Sequence, residues 1–329
     1  MIAQLDLAAL SDLKQALPRF AHKPLAHLSY LTSDQIEGYW LDEIAEHLAD
    51  ERSTAFASHA AGGVNALVVY TDSPWDTKVV GKQVAIIKYL VGTQGAEDLR
   101  MLDDLLAGVI HHAASRGIQL LTCKVQPFEI PATHALERHG FVLMDTLLDF
   151  HFDFSRVPFE KISPPQRLDG LDVRLAKQED LPEVLWLTDK AFAKHFGRYN
   201  ADPNMPAGTG TRAYEQWARS SFGGWADWVL IAEIKHRIVG YSVWKEASTL
   251  EVKHSFDIAH CHLAGIHPDF FGKGLYTVLT FEGMQMAQPL AKYLDGPAHV
   301  SNYAVHRAML KLGWKLAGAR HSFHKWLPE

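Results

Sequence analysis

Hydrophobic and polar positions change period several times along the chain. Residues 1 to about 60 carry apolar positions at helical spacing, in LAALSDLKQAL and again in TSDQIEGYWLDEIAEHLADE. In the second segment Leu41, Ile44, Ala45 and Leu48 share a face, and Thr32, Ser33 or Asp34 stands where a helix is capped. Three strand-like runs follow: GGVNALVVYTD, GKQVAIIKYLVG and QLLTCKVQ. Between the last two, DLRMLDDLLAGVIHHAASRG predicts a long amphipathic helix ending at Gly117. ATHALERHGF then predicts a short helix stopped by Gly140, and VLMDTLLDFHFDF an edge or hairpin strand.

The prolines and polarity of residues 157 to 170, VPFEKISPPQRLDG, read as a linker. Beyond it the pattern starts again. DVRLAKQEDLPEVLWLTDKAF predicts a strand and a helix, and VLIAEIKHRIVGYSVWKEA two strands around a tight turn at Lys235 and His236. Then come an apolar run from Ile258, a helix over TVLTFEGMQMAQPLA, a strand at AHVSN, a helix at YAVHRAMLKLG and a closing strand. Each half thus runs strand, long helix, strand, short helix ending in glycine and an aromatic, final strand, with HGF at 139–141 matched by LGW at 312–314. The repeat has the size of a domain. It reads as two fused copies of one α/β fold, 1–160 and 161–329, with two unrelated α/β domains as the alternative.

Composition narrows the class. With 329 residues, 47% hydrophobic and 21% charged, the chain is long enough for two globular domains. A net charge of -6 argues against broad nucleic-acid binding. Cys123 and Cys261 both sit in apolar runs, which excludes a disulfide scaffold and fits a reducing cytoplasm. The start, MIAQLDLAALSDLKQ, does not read as a signal peptide, and no apolar run approaches membrane-spanning length. Nineteen histidines are many, but no pair stands in a convincing zinc spacing with a third ligand, so no metal is expected.

The chemistry concentrates in IAHCHLAGIHPDFFGKGLY, 258–276. A strand, a turn with Gly272 and Gly274, and a helix together present backbone N–H groups to an anion such as a phosphate. A plain strand-to-helix turn is the alternative. This stretch resembles the acyl-CoA pyrophosphate loop of the GNAT superfamily of N-acetyltransferases, and SNYAVHRAMLKLGWKL followed by HSFHKWL resembles that superfamily's last conserved element. The resemblance implies an α/β (α+β) protein of two fused GNAT-like domains, each a mixed, mostly antiparallel twisted sheet flanked by helices. It implies acetyl-CoA or another acyl-CoA as donor. Where the superfamily has Arg or Gln, two residues, Gly, one residue, Gly or Ala, this chain reads Phe271, Gly272, Lys273, Gly274, Leu275, Tyr276. Gly274, the central glycine, and Lys273 fit, whereas Phe271 and Tyr276 depart.

By the same resemblance, backbone groups at Ala264, Gly265 and Ile266 would pair with the pantetheine arm, and Asn302 would contact the cofactor. His260 stands at the position of the superfamily's carboxylate base, with His262 on the same strand face. An imidazole titrates near neutrality and suits removal of a proton from an ammonium; two structural histidines at a sheet surface are the alternative. The superfamily's thiolate-protonating Tyr is replaced by Met309, and by Leu136 in the first half, which leaves Tyr303, Tyr276, His306 or water. The first half has GTQGAEDLRML in place of FFGKGLY, with Gly92 and Gly95 at another spacing and the acids Glu97 and Asp98 following, so it is expected to be mainly structural.

KHFGRYNADPNMP and AYEQWARSSFGGWADWVLIAE, with SPWDTKVVGKQVAIIK in the first half, resemble TDP-fucosamine acetyltransferases, which acylate the amine of a nucleotide-linked amino sugar. Arg198 and Asp202 could hold polar acceptor groups while Tyr199 and Trp217 offer stacking surfaces; a capped and packed helix connection is the alternative. The expectation is an N-acyltransferase acting on the primary amine of a small polar molecule, as monomer or homodimer, with no membrane partner. Two other readings keep the fold: an unusual donor such as an aminoacyl-tRNA, and a non-catalytic acyl-CoA-binding regulator.

Overall fold

The structure is a computed structural model and describes residues 2–20, 22–60, 63–93, 98–193 and 195–328. Gly95 of the first-half glycine comparison therefore lies outside the described residues. The chain forms two compact units, 1–146 with 319–329, and 147–318.

Unit 1 starts with strand β1 (Ile2–Gln4), helices α1 (Leu10–Ala16) and α2 (Ser33–Ala49), and strands β2 (Ser53–Ala60) and β3 (Gly63–Asp72). Helix α3 (Pro74–Val80), strand β4 (Val84–Gly92), helix α4 (Asp98–Ser115), strand β5 (Leu120–Val125) and helix α5 (Ile130–Arg138) follow. Strand β6 (Val142–Asp153) leads into unit 2, which holds β7 (Leu171–Leu175), α6 (Leu181–Phe192), α7 (Arg198–Ala201), α8 (Thr209–Ser220), β8 (Trp228–Ile234) and β9 (Arg237–Glu246). Its last elements are α9 (Thr249–Lys253), β10 (Ile258–Ile266), α10 (Leu275–Ala287), β11 (Tyr293–His299) and α11 (Tyr303–Lys311), before β12 (Lys315–Trp326).

Within unit 1 the strands run in the order β1-β2-β3-β4-β5-β12, and within unit 2 β7-β8-β9-β10-β11-β6. Among the described residues the parallel pairs are β4 with β5 and β10 with β11. Each sheet is thus mixed and mostly antiparallel. The final strands are exchanged: β6, from the first half of the sequence, pairs with β11 from Leu147 to Asp153, and β12 pairs with β5 from His321 to Trp326. The compact units divide at 146/147 and 318/319.

Both faces of each sheet are covered, which is why the central strands read as unbroken apolar runs. In β3, Ala66, Val68 and Tyr70 face α4 residues Leu105, Leu106 and Val109, while Leu67 and Val69 join Leu13, Trp40 and Ile44 of α1 and α2. In unit 2, Leu230 and Ala232 pack with Leu279 and Met284 of α10, while Val229 and Ile231 pack with Val184 and Leu187 of α6. Strand β2 lies where helices were expected. Its inward residues are Ala55 and Ala57, too small to mark a strand by hydrophobic alternation. Strand β11 begins five residues before the expected AHVSN. Gly296 and Pro297 disguise it, but a proline is tolerated there because pairing with β10 has ended at Asp295.

Two of the register irregularities in the sheets lie beside the parallel pairs. In β10 the register slips between Cys261, opposite Trp244, and Leu263, opposite Val243, so His262 is an inserted bulge residue. In β4 the neighbours Tyr70 and Val69 face Ile87 and Tyr89, so Lys88 is the inserted residue there. Each bulge falls just past the point where parallel pairing stops.

Candidate functional site

β10 and β11 are joined at only three positions: Ile258 with Tyr293, Ala259 with Leu294 and His260 with Asp295. Beyond them β10 stays with β9 as far as Ile266, and β11 stays with β6 as far as His299. The two strands diverge, so Ala264, Gly265 and Ile266 border an opening in the sheet. Gly265 is required by packing, since the Tyr241 ring occupies the place of a Cβ, 2.4 Å from where it would stand.

The turn after β10 has Gly272 at φ 74° and Gly274 at φ 80°, left-handed values that glycine adopts without strain. No side chain caps α10, and Gly274 is its N-cap. Its first-turn N–H groups therefore have no capping side chain, and the helix dipole favours an anion there. Lys273 Nζ lies 5.1 Å from the centroid of the Phe270 ring, and Phe271 is exposed. Leu275 is buried and Tyr276 packs against the core under α10; burial pushes the Tyr276 hydroxyl well above the ordinary phenol range. The bulk of Tyr276 thus faces inward, away from the turn.

His260 and His262 stack with ring centroids 5.5 Å apart. His260 Nε2 donates to Glu251 Oε1 at 3.1 Å, and Nδ1 lies 3.7 Å from Asp295 Oδ2. Burial lowers the His260 pKa, but the hydrogen bonds and charges of Asp295 and Glu251 outweigh it and bring it to about 9. At neutral pH His260 is an imidazolium. His262 is pushed the other way, to about 4, by burial and then by the neighbouring His260 cation. Its other ring neighbour is Trp225, at 4.8 Å.

On the far side of the opening, Met309 is buried, and its methyl group comes within 3.3 Å of where a Cβ on Gly296 would stand. Asn302 caps α11 by accepting from the Val305 N–H at 3.4 Å. Tyr303 is 65% exposed and lies edge-on to His306 at 6.0 Å. His306 Nε2 meets the His299 carbonyl at 3.0 Å.

The residues expected on the acceptor side divide. Trp217 on α8 packs edge-on to Trp225 at 6.2 Å, so Trp217, Trp225, His262 and His260 form one train of rings. Arg198 hydrogen-bonds Tyr199, and its guanidinium lies 4.4 Å from that ring's centroid. Asp202 is buried and accepts from the Asn204 N–H at 2.9 Å, which shapes the turn after α7. Just before α7, His195 and Phe196 approach His299 at the end of β11, at 6.1 and 5.7 Å.

Three residues of this site were not singled out in the sequence. Glu251 was legible as the second member of a capping box, Ser248-x-x-Glu251, that starts α9. Trp225 follows Gly223 and Gly224, a turn signal next to an aromatic. Asp295 carried no signal, because only the parallel register of β10 and β11 brings it to His260.

No family model matches the chain. It is 20% identical over 269 residues, 80% of this chain and 84% of the relative, to the spore coat polysaccharide biosynthesis protein SpsD of Bacillus subtilis. Among solved structures, a tandem GNAT protein from the clavulanic acid biosynthesis pathway superposes with a TM-score of 0.60 at 12% identity, covering 100% of this chain and 99% of the other. A GCN5-related glucosamine N-acetyltransferase region of a fungal multi-domain β-N-acetylglucosaminidase gives a TM-score of 0.63 at 10% identity, covering 99% of this chain and 38% of the other. The fold is that of two fused GNAT-like domains.

Proposed function

We propose that the chain is an acyl-CoA-dependent N-acyltransferase that moves an acyl group, most simply acetyl, to the primary amine of a small polar acceptor, with an amino sugar as the first choice. One observation carries the reading. The strands of unit 2 part beside a stacked histidine pair, and an uncapped helix N-terminus with a two-glycine turn follows the same strand. That arrangement suits a long thioester whose diphosphate rests on backbone N–H groups and whose arm completes the open strand edge.

In this reading the backbone of 272–276 holds the diphosphate, Ala264 to Ile266 pair with the pantetheine arm, and Asn302 contacts the donor from α11. The histidine pair on β10 serves proton removal from the acceptor ammonium. Tyr303 is the candidate on α11 for giving a proton to the departing thiolate, since Met309 has none to give. Trp217, Arg198, Tyr199 and Asp202 border the acceptor. The amino-sugar choice draws on TDP-fucosamine acetyltransferase-like phrases in the sequence, on the polysaccharide context of the Bacillus subtilis relative and on the glucosamine named for the fungal region. Unit 1 would be mainly structural, and the reaction would proceed in the cytoplasm with the protein as monomer or homodimer.

The test is direct. Mass spectrometry of the purified protein should find retained acyl-CoA, and thiol release from acetyl-CoA should depend on an added amino sugar. Absence of acetyl-CoA binding in calorimetry would overturn the reading.

A further inference from the structure

The two histidines differ in what engages their nitrogens. His260 has a carboxylate at each ring nitrogen, Glu251 from α9 and Asp295 from β11. Glu251 is itself fixed, because its other oxygen accepts from the Ser248 N–H at 2.7 Å as part of the capping box. Asp295 is fixed by the last parallel pair between β10 and β11. His260 therefore has no nitrogen to offer a substrate. The bulge residue His262 has the rings of Trp225 and His260 as neighbours, and among the described residues no hydrogen bond engages its nitrogens.

We propose that His262 is the proton acceptor of the transfer, and that Glu251, His260 and Asp295 form a positioning clamp that fixes its ring and keeps it unprotonated. The assignment rests on the acyltransferase reading above. Burial disfavours a positive charge on the His262 ring and the His260 cation stacked on its face adds to this, whereas the Asp295 and Glu251 carboxylates oppose it. The other charge on this group is Lys245 of β9, whose ammonium is held 2.9 Å from the Trp225 carbonyl and 3.7 Å from Asp227. The opposite shifts of the two rings, to about 9 and about 4, agree with this division of roles. Burial pushes Glu251 up, but its His260 hydrogen bond holds it below the usual carboxylate range, so the clamp stays charged.

The step balances as follows. The acceptor ammonium gives one proton to His262, which passes it to water. The C–N bond forms and the C–S bond breaks. The nitrogen loses its second proton as the thiolate gains one, so one proton is released in all.

The test uses the full chain with 15N-labelled histidine. Imidazole spectra across pH should place one of these rings near 9 and the other near 4. In Asp295→Asn the His260 midpoint should fall by a unit or more. In His260→Gln the His262 midpoint should rise toward the ordinary value, and kcat/KM should drop roughly tenfold, whereas His262→Gln should lose on the order of a hundredfold or more. The spectra need no turnover. If acetyl-CoA fails to bind, the acyltransferase reading falls while the clamp is still judged on the midpoints. An unmoved His262 midpoint in His260→Gln, or full kcat/KM in His262→Gln, overturns the proposal.

Discussion

Units 1 and 2 build the same device and equip it differently. In unit 1 β4 and β5 stay parallel from Val84–Leu120 to Ile87–Cys123, and β4 then continues paired with β3, as β10 continues with β9 in unit 2. Each has its bulge at the same register, Lys88 in one and His262 in the other. The position of the His260–Asp295 pair is taken in unit 1 by Ile86 and Thr122. Left-handed Gly140 and Gly313 end the short helices, followed by buried Phe141 and Trp314, and Leu136 and Met309 fill the same interior place. Positions that stop helices and fill the core match in type. The imidazoles of His260 and His262 and the carboxylate of Asp295 give way in unit 1 to Ile86, Lys88 and Thr122. The bulge and the parting of strands thus belong to the scaffold, and the polar residues beside them decide whether it can move a proton.

The harshest way to break this comparison is to cut the chain at the repeat boundary. A fragment of residues 161–329 keeps the whole repeat of the second half but lacks β6, which pairs with all seven residues of β11. That leaves β11 without its β6 partner along its whole length. Expressed alone, the fragment should be insoluble or fail to unfold cooperatively. A soluble, active fragment would show that the exchanged strand is dispensable.

The next test asks whether one unit or both hold the donor. Calorimetry should give one acetyl-CoA per chain. Gly274→Val should abolish it, because a β-branched residue is strained at φ 80° and its side chain stands where backbone must approach phosphate. Two molecules per parent chain would mean that unit 1 is more than a support.

Much of this scaffold was legible. The Lys235–His236 turn appears as two left-handed residues joining β8 to β9, and the glycine turn leads into α10 as read. The strand exchange was not legible, because VLMDTLLDFHFDF and the closing strand carry a pattern that either sheet could use. The histidine pair was visible on β10, but its protonation was not, since a raised or lowered pKa depends on Glu251 and Asp295 brought in by folding.

Giving unit 2 the bulge residue of unit 1 sharpens the comparison further. His262→Lys should keep acetyl-CoA binding and lose on the order of a hundredfold in kcat/KM, since an ammonium beside the His260 cation cannot take a proton. Activity within a factor of three of the parent would place the chemistry away from the bulge.

The smallest effect concerns unit 1, where the residue at the start of the short helix is Glu129 and its counterpart in unit 2 is Asn302. Glu129 is buried, and burial raises its pKa to about 7 even though it accepts the Gln126 N–H at 2.7 Å. The native state then binds more protons than the unfolded chain between the ordinary carboxylate value and about 7. Stability from this group is present at low pH and is lost as pH rises through that window. Glutamine keeps an acceptor for Gln126 and carries no charge. Glu129→Gln should therefore be close to neutral at pH 4.5 and stabilising above pH 7 by about 1–2 kcal/mol, or roughly 3–6 °C in Tm. Thermal unfolding of both proteins at pH 5 and pH 8 checks it. A Tm difference that stays the same at the two pH values would mean that Glu129 is ionised without cost, and that this carboxylate, like those around His260, has a cation to meet.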